Sequence, residues 1–236
     1  MSVQFASFPD RDRMTDQLLS DLMYRLDRAI ADRGVASLVV SGGETPRQLF
    51  HKLSQQPLAW ENVFITLADE RWTDVNSEQS NEHLARSILL KDEAARANFV
   101  GLKTEHTEAA AALSVCEKRL GNIPAPFDVV LLGMGNDGHT ASLFPGADTL
   151  PQALDLKSGR RLAAITPDPL PEQAPFPRIS MTLPQLLQSR WLVLLLAGYE
   201  KYGVYNAALA GDDTDQMPVR GVLKQSSVPM AVYWSP

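Results

Sequence analysis

Met14, Leu18, Leu22, Leu26 and Ile30 recur at every fourth position, Leu19 and Met23 widen the stripe, and Asp16, Asp21, Arg25 and Arg28 fall outside it. That spacing predicts an amphipathic helix laid on a core. Gly34, after Arg33, suits the left-handed residue at which many helices stop. Short apolar runs of strand length follow at Val35–Val40, Val63–Leu67, Phe127–Leu132, Arg190–Ala197 and Val228–Tyr233. Helical segments alternate with them. One starts at Pro46 and runs through Leu49, Phe50 and Leu53, with Thr45 suited to the N-cap and Pro46 to the first helical position. Another opens at Ser80-Asn81, a third covers Thr107–Leu120, and a fourth follows Gly198 through Tyr205, Ala208 and Leu209. Residues 91–107 read as charged and irregular. The proline-rich stretch from Pro151 to Pro184 holds two further strands, at Leu162–Ile165 and Arg178–Thr182. It is either a wall over a site or an idle connection. The alternation predicts an α/β fold: a mostly parallel, doubly wound sheet with helices on both faces, in a single domain over 1–236.

Composition narrows the setting. The 236 residues, 44% of them hydrophobic, can bury a large core. No apolar run approaches the length of a membrane span. Met1–Phe5 lacks the basic head and apolar centre of a signal peptide, and the single Cys116 excludes an intrachain disulfide. A cytoplasmic location is the expectation. The net charge of −6 argues against nucleic acid as a partner. It also means that an anionic substrate must be held by local cations. A monomer and a small homo-oligomer are both compatible with this chain.

Chemistry concentrates where strands end. The central run breaks into Gly133-Met134-Gly135-Asn136-Asp137-Gly138-His139, a tight turn carrying a carboxylate and an imidazole at the strand end, where open α/β sheets bind ligands. An imidazole there is placed for proton transfer. The glycines also spell the dinucleotide fingerprint, but no βαβ unit with a ribose-binding acid about 20 residues on is evident. A purely structural turn is the plain alternative. Ser41-Gly42-Gly43-Glu44-Thr45-Pro46 precedes a helix and leaves main-chain N–H groups free for a phosphate; an ordinary strand–helix turn would look the same. Asp69-Glu70-Arg71-Trp72 crowds three charges at a strand end, which alone reads as a solvated ion-pair cluster. Lys201 stands at a helix start, a poor place for a cation unless it faces an anion. Cys116 reads as a packed core residue and His83 as a helix-surface residue. His51 and His106 have no partners that suggest chemistry.

Together these segments, with Ser80-Asn81, the longer Gly133–Gly146 block, Arg178-Ile179-Ser180-Met181-Thr182 and Gly198-Tyr199-Glu200-Lys201, resemble the 6-phosphogluconolactonases in order and over nearly the whole chain. The Gly133–Gly146 block is the most specific piece. The resemblance implies hydrolysis of 6-phosphoglucono-1,5-lactone, a sugar-phosphate substrate, without metal or cofactor. It implies that His139 moves the proton, Asp137 orients it and Arg71 stabilises the lactone oxygen. Ser41, Gly42, Gly43, Thr45, Arg178 and Lys201 then hold the phosphate, while Asp69 contacts the sugar or steadies Arg71. Two departures stand out. Glu44 replaces a common serine, and Thr73-Asp74 replaces a common Val-Pro. The rival on the same fold, glucosamine-6-phosphate deaminase, usually carries Asn-Glu-Pro after its histidine turn, where this chain has Leu143-Phe144-Pro145. A non-catalytic sugar-phosphate sensor would normally add a helix-turn-helix segment, and no spare basic helix is visible.

Overall fold

A computed structural model describes residues 3–172 and 174–236. The chain opens with β1 (Gln4–Ser7) and α1 (Arg11–Arg33), then β2 (Ala36–Val40), α2 (Arg47–Ser54), β3 (Val63–Leu67) and β4 (Asp69–Arg71). There follow α3 (Asn81–Leu84), which runs into a π-helical turn at Ala85–Leu89, and then β5 (Asn98–Val100), α4 (Ala109–Leu120) and β6 (Val129–Leu132). The last third holds α5 (Leu150–Leu154), β7 (Leu162–Ile165), β8 (Arg178–Met181), α6 (Leu183–Leu187), β9 (Leu192–Ala197), α7 (Tyr199–Ala210), α8 (Val219–Leu223) and β10 (Met230–Ser235).

Seven strands form a parallel sheet in the order β1-β10-β9-β6-β2-β3-β5. β2 and β6, at its middle, are buried at every residue. Successive side chains point to opposite faces, so both faces of the sheet are covered. Of the predicted stripe on α1, Met14, Leu18, Leu22 and Leu26 are buried and Ile30 is half-buried against the core, with Ala29 buried beside it, each fully buried large side chain contributing roughly 1.5–3 kcal/mol. Asp10 caps the start by accepting from the Arg13 N–H at 2.8 Å. Gly34 ends the helix at φ 76°, its N–H bonded to the Ile30 carbonyl. At the entry to β6, buried Asp128 accepts from the Ser37 N–H at 2.9 Å and pairs with Arg33 and Arg190. This one carboxylate fixes β2 and β6 and the lead-in to β9 at the end opposite the site.

The structure departs from the sequence reading in several places, the short helices α5, α6 and α8 among them. β1 and β5 were not anticipated; β1 is a mostly exposed edge strand and β5 three residues long, so neither carries an apolar run. Pro46 occupies the cap position of α2, and Thr45 makes no capping bond. Last, a second, antiparallel sheet, β4-β8-β7, stands beside the main one. Ala68 joins the two sheets. Its N–H donates to the Val40 carbonyl in the large sheet, and its carbonyl accepts from the Met181 N–H in the small one, both at 2.8 Å. Among the described residues no helix is long and apolar enough to cross a membrane.

Candidate active site

β6 stops at Leu132 because the next residues are committed to a closed turn. Gly135 N–H bonds to the His139 carbonyl at 2.8 Å, Gly138 N–H to the Gly135 carbonyl at 3.1 Å, and the Thr140 hydroxyl to the Gly133 carbonyl at 2.8 Å. Gly135 leaves no room for a side chain: a Cβ there would fall 2.1 Å from His139 Nδ1 and 2.4 Å from Asp137 Oδ1. The turn thereby brings Nδ1 of His139 to 2.6 Å from Oδ1 of Asp137. Phe144 stacks on the imidazole with ring centroids 4.1 Å apart. A neutral ring donating from Nδ1 keeps its lone pair on Nε2. Burial pushes the Asp137 carboxyl up, but the hydrogen bonds and charge of His139 outweigh it, and the group stands below its ordinary range.

The second wall comes from β4, whose alternation sorts its three charges. Asp69 and Arg71 line the cavity, and Glu70 between them is fully buried. The surface ion-pair reading of this segment is therefore corrected, since Asp69 too is only 6% exposed. Asp69 accepts from the Ser142 hydroxyl at 2.5 Å and from Asn81 Nδ2 at 3.3 Å. Arg71 donates to the Gln79 carbonyl at 2.6 Å. Glu70 accepts four hydrogen bonds from its own strand and the start of α3. Burial raises its carboxyl to about 7 against the pull of those donors.

The third wall is cationic and rich in N–H groups. Ser41 N–H still bonds to the Leu131 carbonyl at 3.1 Å, after which the chain leaves the sheet through Gly42 and Gly43. Asn81 packs so closely on Gly42 that a Cβ there would meet its Oδ1 at 1.9 Å, and Gly43 takes φ 96°. Glu44 lines the cavity too, but its side chain is 83% exposed and its carboxylate is paired with Arg47 at 2.9 Å. Arg178 lies opposite Arg71 in the small sheet. It is buried, with Nη2 bonded to the Ala174 carbonyl, while Nε and Nη1 find no partner among the described residues. Burial, then the neighbouring Arg71, lower its guanidinium to about 10 against the opposing charges of Asp69 and Glu70. Burial likewise lowers the Lys201 ammonium.

These walls enclose one cavity of about 990 Å³. Ser41, Gly42, Gly43, Thr45, Asp69, Arg71, Asp137, His139, Arg178 and Lys201 all line it, so the structure brings every residue singled out from the sequence to one place. The prolines at 167, 169 and 171 line it too, which makes that segment a wall and not an idle connection. Sequence reasoning missed Asn81, Ser142 and Phe144 as lining residues and Glu70 as the support of Arg71 and Asn81. Asn81 looked sufficient as a helix start, Ser142 sat unremarked inside the glycine block, and Phe144 was noted only within the segment that lacks a deaminase acid. Among the described residues, no group of three or more His, Cys, Asp or Glu side chains is placed to hold a metal ion.

Residues 9–234 match the family described as glucosamine-6-phosphate isomerases/6-phosphogluconolactonase. The chain belongs to that family. Within it, the chain is 40% identical to the 6-phosphogluconolactonase of Rhizobium meliloti strain 1021 over 236 residues, all of both chains. It is 39% identical to the 6-phosphogluconolactonase of Pseudomonas putida over 235 residues, covering 100% of this chain and 94% of the other. The crystal structure of a 6-phosphogluconolactonase from Shewanella baltica OS155 superposes with a TM-score of 0.95 at 43% identity, covering 100% of this chain and 98% of that one.

Proposed function

We propose that residues 1–236 form one catalytic domain that hydrolyses 6-phospho-D-glucono-1,5-lactone to 6-phospho-D-gluconate, the second step of the oxidative pentose phosphate pathway. The observation that carries this reading is the pairing of His139 with Asp137 at 2.6 Å in a cavity whose other walls present Arg71, Arg178, Lys201 and the Gly42–Gly43 turn. A general base at one end and an anion grip at the other are what a phosphorylated lactone needs.

Water attacks the lactone carbonyl carbon while Nε2 of His139 takes its proton. The negative charge that develops on the carbonyl oxygen faces Arg71, the kind of electrostatic stabilisation that dominates many such reactions. The tetrahedral centre then collapses, the bond to the ring oxygen breaks, and the imidazolium returns the proton to that oxygen. The products are a free hydroxyl and a carboxylic acid, which ionises. Acid–base help of this kind contributes roughly 10²–10⁴ in rate. Asp137 holds the ring in the tautomer that leaves Nε2 free and stabilises the imidazolium. Gly42 and Gly43 offer N–H groups to the phosphate beside Ser41 and Thr45, and Arg178 and Lys201 offer charge. Asp69, tied to Ser142, faces the sugar hydroxyls. Phe144 covers one face of the imidazole, and no carboxylate arrives from Leu143–Pro145 to serve deaminase chemistry.

A monomer and a small homo-oligomer are both compatible with this reading; the proposed setting is the cytoplasm. The test is a coupled assay on freshly generated 6-phosphogluconolactone, corrected for spontaneous hydrolysis, with glucosamine-6-phosphate in parallel. Accelerated lactone opening without ammonia release is expected. No acceleration, or preferential deamination, overturns the proposal.

A further inference from the structure

We propose that Glu70 is a positioning residue for this reaction: its enclosed carboxylate fixes Arg71 on the cavity wall and acts on substrate only through it. The inference rests on the lactonase reading above. Glu70 does not reach the cavity and is fully buried, yet it has a partner for each lone pair. Oε1 accepts from the N–H groups of Arg71 at 2.6 Å and Asn81 at 2.8 Å, and Oε2 from the Ser80 hydroxyl at 2.9 Å and the Glu82 N–H at 2.7 Å. Four acceptor positions are about what a carboxylate has.

The placement of these donors is informative. α3 is too short to hold itself. Its first two N–H groups are taken by Glu70, and the third, from His83, by the Ser80 hydroxyl at 3.1 Å. The segment preceding α3 also supplies the Gln79 carbonyl that receives the Arg71 guanidinium at 2.6 Å. Arg71 is thus held by Glu70 at its main-chain N–H and by Gln79 at its guanidinium, and Glu70 also binds the stretch that follows Gln79 to the strand. The charged groups around the carboxylate are Asp69 and Arg71 on its own strand, Glu82 on α3 and Arg178 on β8. A hydrocarbon of similar size would leave these four donors without an acceptor, so the carboxylate serves the fold as well as Arg71, and a readout tied to Arg71 is what separates the two roles.

A double-mutant cycle in the full-length chain decides the matter. Glu70→Gln and Ser80→Ala are each made alone and with Arg71→Ala. Each variant is assayed for kcat and KM on the lactone and, by calorimetry, for affinity toward 6-phosphogluconate. Glu70→Gln is expected to lower kcat/KM on the order of 10- to 100-fold in the native background and less than about threefold once Arg71 is gone. Ser80→Ala removes one donor of four and is expected to show a smaller loss with the same non-additivity. Should Glu70→Gln fail to give the native circular dichroism spectrum, the Ser80→Ala cycle decides alone. Losses that multiply in the double variants, or an unaltered kcat/KM in Glu70→Gln, overturn the positioning role while the lactonase reading stands. If the unaltered protein binds 6-phosphogluconate without turning over lactone, the lactonase reading falls and the binding cycle decides this one; if it does neither, both fall.

Discussion

Oδ1 of Asp137 receives two hydrogen bonds from the same residue, one from His139 Nδ1 at 2.6 Å and one from the His139 main-chain N–H at 3.1 Å. Ring and backbone are therefore aimed by a single oxygen. Asp137→Asn can keep the acceptor only by turning its carbonyl inward, and it loses the charge that favours the imidazolium. Steady-state kinetics on this variant should show kcat reduced on the order of 10²-fold or more with the fold retained, and His139→Ala should lose most turnover. The Asp137 carboxyl stands below its ordinary range. Its contribution to stability is thus present above the ordinary carboxylate value and lost as pH falls through the lower folded value. Acid unfolding of Asp137→Asn should lack that component.

Gly135 and Gly203 make a matched pair of glycine-to-alanine substitutions. At Gly135 the added methyl collides with both members of the histidine–aspartate pair, whereas at Gly203, on the exposed face of α7, nothing among the described residues lies within 4 Å. Gly135→Ala should cut kcat/KM by roughly 10²-fold by displacing the imidazole. Gly203→Ala should leave activity intact and raise stability by about 0.5–1 kcal/mol in denaturant titration.

Stability should also carry the signature of Glu70. Its folded-state value of about 7 lies above the ordinary range. Between the two values the native state holds a proton that the unfolded chain has released, so the stabilisation is complete at low pH and declines as pH rises through about 7. Glu70→Gln has no such titration. Thermal melts from pH 4 to 9 should show the native protein losing Tm relative to this variant across that window; parallel curves would refute the assignment.

Arg178 holds a buried guanidinium with two donor atoms unpartnered among the described residues, directly across the strand pair from Arg71. An anion that reaches them relieves both desolvation and repulsion. Inorganic phosphate and 6-phosphogluconate should each raise Tm with concentration, and Arg178→Ala should weaken that response. Lys201→Ala should mainly raise KM, as loss of uniform phosphate binding does. An unchanged KM would place the phosphate elsewhere.

The sequence was most legible where burial is strongest. Val63–Leu67 and Leu162–Ile165 were bounded to the residue, because apolar runs between turn residues have few other readings. β1 and β5 were invisible, since edge strands are short and draw their stability from the neighbouring ladder and not from their own side chains. The small sheet was hidden for a related reason: Asp69-Glu70-Arg71 is polar at every position, and only the tertiary fold buries it. The residues lining the cavity could be named from motifs. Glu70 could not, because a charge whose partners lie ten to twelve positions away looks in sequence like any solvated acid.

The peptide at Ala68 bonds to β2 on one side and to β8 on the other, which leaves no slack between β3 and β4. Because side chains alternate along a strand, one residue inserted there would rotate Asp69 and Arg71 away from the cavity and swing Glu70 in. Descendants of this protein can lengthen the exposed turn at 155–160 with little penalty, but insertions and deletions at Ala68 are closed to them. The distance between two strands is here a catalytic parameter, written in the number of residues and not in their identity.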